Sequence, residues 1–139
     1  MKARIRRPVH KAILEHAAAA YPDEACGILL GKAGELCDVT EAHPCKNLNE
    51  ARARDRYQID PKQQLRIERD ARERGLDVLG YFHSHPDHPA QPSLTDLALS
   101  WEEVLYLIVA VEAGKPGDFN GFLRPDGNAE FLPVPLDII

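Results

Sequence analysis

An α/β domain built on a mixed, curved β-sheet with helices packed against it is the architecture that this sequence predicts. Three observations predict it: segments of helical period alternate with short apolar runs, those runs favour β-branched residues, and Gly or Pro marks most junctions between them. With 139 residues the chain is long enough for one core, and it reads as a single domain over 1–139.

Each element has a local cause. In 9–21, apolar side chains at Val9, Ala12, Ile13, Ala17 and Ala20 share one helical face, with Pro8 suited to the start and Pro22 to the end. Residues 26–30 and 36–40 read as strands joined by the turn Gly31-Lys32-Ala33-Gly34, and 57–59 as a short third strand. Asp60-Pro61 opens a second helix, heavily charged over 66–74, that stops before Gly75. A strand over 76–85 follows, then a short helix from Ser93 to about Trp101. The β-branched and apolar run 104–111 predicts a central strand beside it. At the end, 121–123 and 129–132 flank Pro125-Asp126-Gly127, a turn signal for a hairpin.

Composition excludes several functions. A net charge of -5 argues against general nucleic-acid binding, and the basic cluster Lys2, Arg4, Arg6, Arg7 and Lys11 reads as a solvated edge. No apolar run approaches the roughly twenty residues that span a bilayer, and the first residues lack the apolar core of a signal peptide. Cys26, Cys37 and Cys45 are odd in number and have no C-x-x-C spacing, which suits a reducing compartment. The expected location is cytoplasmic. The mixed-sign run 50–56, after Asn47-Leu48-Asn49, reads as an exposed loop that borders a groove.

The chemistry gathers in Gly80-Tyr81-Phe82-His83-Ser84-His85-Pro86, followed by Ser93 and Asp96. Alternation along a strand puts His83 and His85 on one face, and a turn through the Pro-rich segment beyond brings the Asp96 carboxylate back towards them. Two nitrogens and one oxygen leave a fourth tetrahedral position for water, the mark of a catalytic rather than a structural zinc site. Glu24, at the mouth of the apolar run 26–30, is the candidate base. Taken singly, these residues also fit plainer roles: Ser93 and Asp96 suit a helix cap, Glu24 suits a solvated link, and His88 competes with Asp96 as third ligand. Cys26 shares a strand face with Glu24; it reads as a small buried residue, with a thiol hydrolase as the alternative.

An acid in E-x-C-G-I-L-L-G, then His83-Ser84-His85-Pro86, six residues, Ser93, two residues and Asp96, resembles the JAMM (MPN+) zinc metallopeptidases in order and spacing, in particular their small prokaryotic stand-alone type. The resemblance spans nearly the whole chain. It implies the JAMM/MPN fold, which is cytidine-deaminase-like, with one catalytic Zn²⁺ on His83, His85 and Asp96, Glu24 as general base and Ser93 as the hydroxyl supporting the oxyanion. It also implies cleavage of a peptide or isopeptide bond after the Gly-Gly tail of a ubiquitin-like or sulfur-carrier protein, with the tail held by strand addition at an exposed sheet edge; whether the protein is a monomer or a homodimer is not written in the sequence. Two further readings are a non-catalytic interaction domain of the same fold with bound zinc, and a zinc deaminase. The deaminase signature, H-x-E with P-C-x-x-C, is absent.

Overall fold

A computed structural model describes residues Met1–Ile139. In chain order the elements are β1 (Lys2–Ile5), α1 (Arg7–Ala20), β2 (Cys26–Lys32), β3 (Leu36–Cys45), α2 (Pro61–Glu73), β4 (Asp77–Pro86), α3 (Leu94–Ala98), β5 (Leu105–Glu112), β6 (Lys115–Leu123), β7 (Leu132–Val134) and β8 (Leu136–Ile138). All eight strands form one sheet, ordered β7-β6-β5-β4-β2-β3-β1-β8. It is mixed: β1 runs parallel to β3 and β8, β4 runs parallel to β5, and the other pairs are antiparallel.

The two ends of that order show how strongly the sheet curves. β7 and β8 lie at opposite edges, yet Pro135 alone separates them in the chain, so the edges must come round to meet. A Cβ added at Gly121 of β6 would lie 2.8 Å from a methyl group of Leu136 in β8, which places those strands in contact. α1 fills the inside of the curl: Val9, Ile13 and Ala17 are buried with Ile5, Val39, Phe82, Leu107 and Val109. α2 covers the other face, where Ala71 packs with Cys26, Ile28, Leu30 and Cys45.

The basic cluster is solvated as expected, with Lys2, Arg6, Arg7 and Lys11 exposed, although Lys2 and Arg4 belong to strand β1, whose Ala3 and Ile5 are fully buried. Three expectations differ from what forms. β6 begins at Lys115, well before the expected 121, because Ala113 and Gly114, both at positive φ, make a two-residue hairpin with β5. Pairing there overrides the loop-like composition of Pro116, Gly117, Asp118 and Asn120, and Pro116 falls next to a register shift that tolerates it. Residues 57–59 form no strand; only Ile59 bridges, to Asn47. The last hairpin pairs Leu123 with Leu132 but runs on to Val134 rather than starting at 129.

Topology puts the site at one end of β4. Parallel strands require a crossover, and the connection from β4 to β5 carries α3 back to the carboxyl end of β4. β2 runs antiparallel on the other side with Cys26 opposite His83, so Glu24, two residues earlier, arrives at that same end. β4 is an interior strand, paired with β2 as far as His83 and with β5 from Gly80 to Pro86, so strand addition would have to use a different edge of the sheet.

Close approach of β4 to β5 depends on Gly80. A Cβ there would lie 1.8 Å from the Leu105 carbonyl oxygen, a backbone atom that cannot swing aside. Gly80→Ala is therefore expected to cost about 3 kcal/mol or more, read as a lower urea midpoint; an unchanged midpoint would contradict this packing.

An ion-pair network fixes α2 to β3. Arg74 donates from Nη1 and Nη2 to both Glu41 carboxylate oxygens at 2.6 and 2.8 Å, and from Nε to Asp70 at 3.0 Å. The Arg74 hydrogen bonds hold the Glu41 carboxyl down at about 2, with a further bond from His43. A depressed folded-state pKa means the contribution is complete above the unfolded value near 4.5 and disappears as pH falls through about 2. Because both side chains are partly exposed, solvent screening leaves about 1 kcal/mol. Glu41→Gln should thus lower stability at pH 7 and converge with the parent below pH 2, measured by urea unfolding across pH.

Candidate metal centre

His83, Ser84 and His85 are buried at the end of β4, and strand alternation separates their roles. The two histidines point together, with Nε2 atoms 3.1 Å apart, whereas the Ser84 hydroxyl accepts the Ala25 N–H at 2.8 Å. Ser84 also donates its own N–H to the Ala25 carbonyl, which anchors the residue beside Glu24 to the histidine strand. Motif spacing does not single out Ser84, although period-two alternation alone sets it apart from its neighbours.

Asp96 completes a compact triangle. Its Oδ2 lies 3.0 Å from His85 Nε2 and 3.3 Å from His83 Nε2. α3 begins with a capping box in which Ser93 Oγ accepts the Asp96 N–H at 3.0 Å and Asp96 Oδ2 accepts the Ser93 N–H at 2.8 Å. The cap and the approach to the histidines are therefore compatible, and a single oxygen with two lone pairs serves both. His88 is exposed on the loop after β4 and stands outside the triangle that Asp96 closes.

Glu24 is 4% exposed, and its Oε1 is buried without a hydrogen-bond partner. Its carboxylate comes within 4.8 Å of ligand atoms of His83 and His85. The Asp96 triangle is much tighter, so it is the better cradle for an ion, with Glu24 standing beside it. Burial pushes the Glu24 carboxyl up to about 8; His85 acts against this and Asp96 adds to it.

These residues fit a small cation. The His85 Nδ1–H donates to the Pro89 carbonyl at 2.8 Å, so its Nε2 presents a lone pair. Burial holds His83 below its usual pKa, which favours the neutral imidazole. Burial alone would raise Asp96, but the His83 and His85 imidazoles beside it outweigh this and hold the carboxyl well below the usual range, and against burial Asp96 raises His85, so a bound cation would take the place of a proton here. Three acceptors thus converge at 3.0–3.3 Å. A tetrahedral zinc with bonds of about 2.05 Å needs ligand atoms about 3.3 Å apart.

A cleft of about 310 Å³ opens on the His83 and Asp96 side, walled by Tyr57, Tyr81, Trp101, Tyr106 and Phe131. A second, polar cleft of about 630 Å³ lies between residues 50–55 and 86–88 and reaches Asp23, next to Glu24. Cys26 is fully buried, and burial pushes its thiol up to about 12, which keeps it from acting as a thiolate nucleophile. Tyr57 and Asn47, around the cradle, show no sign of a site role in the sequence, where Tyr57 reads as part of a short strand and Asn47 as the lead into an exposed loop. No helix is long and apolar enough to cross a membrane.

Comparison with known proteins agrees with this arrangement. The family model described as prokaryotic homologs of the JAB domain matches residues 6–123. The chain is 39% identical over 95 residues to a desampylase of Haloferax volcanii, covering 68% of this chain and 67% of that protein. It is 30% identical over 131 residues to the CysO-cysteine peptidase of Mycobacterium tuberculosis, covering 94% and 88%. A Desulfitobacterium hafniense protein of known solution structure superposes with a TM-score of 0.84 at 31% identity, over 99% of this chain and 92% of that one. With its sequence matched over most of its length, the chain belongs to the prokaryotic homologs of the JAB domain.

Proposed function

We propose that this protein is a zinc-dependent peptidase that hydrolyses the amide bond following the glycine-ended tail of a ubiquitin-like or sulfur-carrier protein. The observation that carries the reading is the triangle of His83, His85 and Asp96 with the unpartnered Glu24 carboxylate beside it. Its similarity to a desampylase and to a CysO-cysteine peptidase supports the substrate class.

His83, His85 and Asp96 would hold the ion. Zinc bound there would supply a water of pKa about 7 and polarise the amide carbonyl. Glu24 accepts the proton released from the attacking water and returns it to the leaving amine. Burial raises the Glu24 carboxyl to about 8, and a cation in the cradle would act against that, leaving Glu24 near the pH at which a general base works. The Ser93 oxygen accepts the Asp96 N–H and keeps its own O–H free to donate to the developing oxyanion, a contribution typically worth about 3 to 4 kcal/mol.

Because Glu24 must reach the leaving nitrogen, the leaving group belongs on its side, in the polar cleft beside Asp23. The carrier tail then occupies the aromatic cleft beside His83 and Asp96. The test is metal analysis followed by incubation with carrier proteins bearing extensions after Gly-Gly, the products being identified by mass spectrometry. Cleavage after the second glycine, abolished by chelator and restored by zinc, is the expected result. Cleavage that resists chelation would overturn the proposal.

A further inference from the structure

His83 and His85 are held in different ways. The second ring nitrogen of His85 is tied to the Pro89 carbonyl, but the Nδ1 of His83 is buried with no hydrogen-bond partner. Histidines that bind metal are ordinarily oriented by that second hydrogen bond. In its place the His83 ring has Tyr57, stacked with ring centroids 4.7 Å apart and planes 25° from parallel.

Tyr57 comes from the connection between β3 and α2 rather than from the sheet, so its position depends on what fixes that connection. The side chain of Asn47 does so. Its Nδ2 donates to the Arg56 carbonyl at 3.0 Å and to the Glu24 carbonyl at 3.3 Å, while its Oδ1 accepts the N–H groups of Gln58 at 3.1 Å and Asn49 at 3.0 Å. The bonds to Arg56 and Gln58 bracket Tyr57 on both sides, and the bond to Glu24 extends the same amide to the candidate base. Two donors and two lone pairs are all in use, so no other side chain of this size supplies the set.

We propose that Asn47 and Tyr57 are positioning residues of the metal centre: the Asn47 amide sets Tyr57 against the His83 ring and, through the backbone, sets Glu24 beside the cradle. The inference rests on the reading of His83 as a metal ligand. Its consequence is that order in the connection 46–60 is coupled to metal affinity, although neither residue touches the ion.

The test uses the full chain and the metals alone, with zinc affinity from chelator competition, the visible spectrum of the cobalt-loaded protein, and thermal melting of each metal-free variant. Tyr57→Leu is expected to weaken zinc binding by about 10- to 100-fold and to shift the cobalt bands. Tyr57→Phe keeps the stacking ring and should stay within about twofold of the parent. Asn47→Asp keeps the size and the acceptors but loses both donors, and should weaken zinc by about 10-fold. Parent-like zinc affinity in both Tyr57→Leu and Asn47→Asp, with His83→Ala unable to bind, would overturn the positioning role and leave the ligand reading intact. Parent-like zinc binding by His83→Ala would overturn both. Should Tyr57→Leu not fold without metal, Asn47→Asp against Tyr57→Phe decides by the same affinities.

Discussion

Glu24→Gln should leave zinc bound in full and reduce hydrolysis by about 10²- to 10⁴-fold, the usual contribution of a general acid-base group. The substitution keeps the volume of a side chain that is almost completely buried, so the packing at the mouth of β2 is preserved. It removes only the ability to take a proton and hand it on. The backbone of Glu24 is held independently of its carboxylate, by its N–H to the Ala53 carbonyl and by Asn47, which protects the fold in the variant. Metal content by elemental analysis and the turnover rate are measured on one preparation. Turnover at the parental rate would remove Glu24 from the mechanism, and loss of the metal would instead make it a ligand.

Asp96→Ala should lose zinc and activity together, and so should His83→Ala, because on the proposed reading each removes one of only three protein ligands. Asp96 has a second role as the N3 residue of the capping box, and its removal also leaves the Ser93 N–H without that acceptor. Asp96→Asn separates the two effects: an amide oxygen still caps the helix, but the negative charge facing the imidazoles is gone. Zinc should therefore be lost from Asp96→Asn with little change in metal-free melting. His88→Ala is expected to keep the metal, since His88 lies in the exposed loop. Retention by Asp96→Ala with loss from His88→Ala would reverse that assignment.

Much of the site is legible in the sequence because its residues follow local rules. His83 and His85 share a face through strand alternation, the Ser93 to Asp96 spacing describes a helix start, and an apolar run marks β2 just after Glu24. The elements that escape such a reading are those whose form depends on a distant partner. β6 contains Pro and Gly and takes strand form through its hairpin with β5, while β1 is hidden among basic residues and is completed by β3 and β8. Tyr57 resembles a strand residue because its neighbours look extended, yet its place is set by the side chain of Asn47.

From its residue order alone this chain declares an α/β architecture and offers His83, His85 and Asp96 as candidate donors, Glu24 as candidate acid and Ser93 as a capping hydroxyl. Chemical type and short-range periodicity are written in consecutive residues, so no fold is needed to read them. Only the tertiary structure decided that one Asp96 oxygen meets both imidazoles, that burial raises Glu24, and that β4 is an interior strand. Those properties belong to distances and solvent exclusion between segments far apart in the chain, and they exist once β2, β4 and the crossover through α3 converge on one end of the sheet.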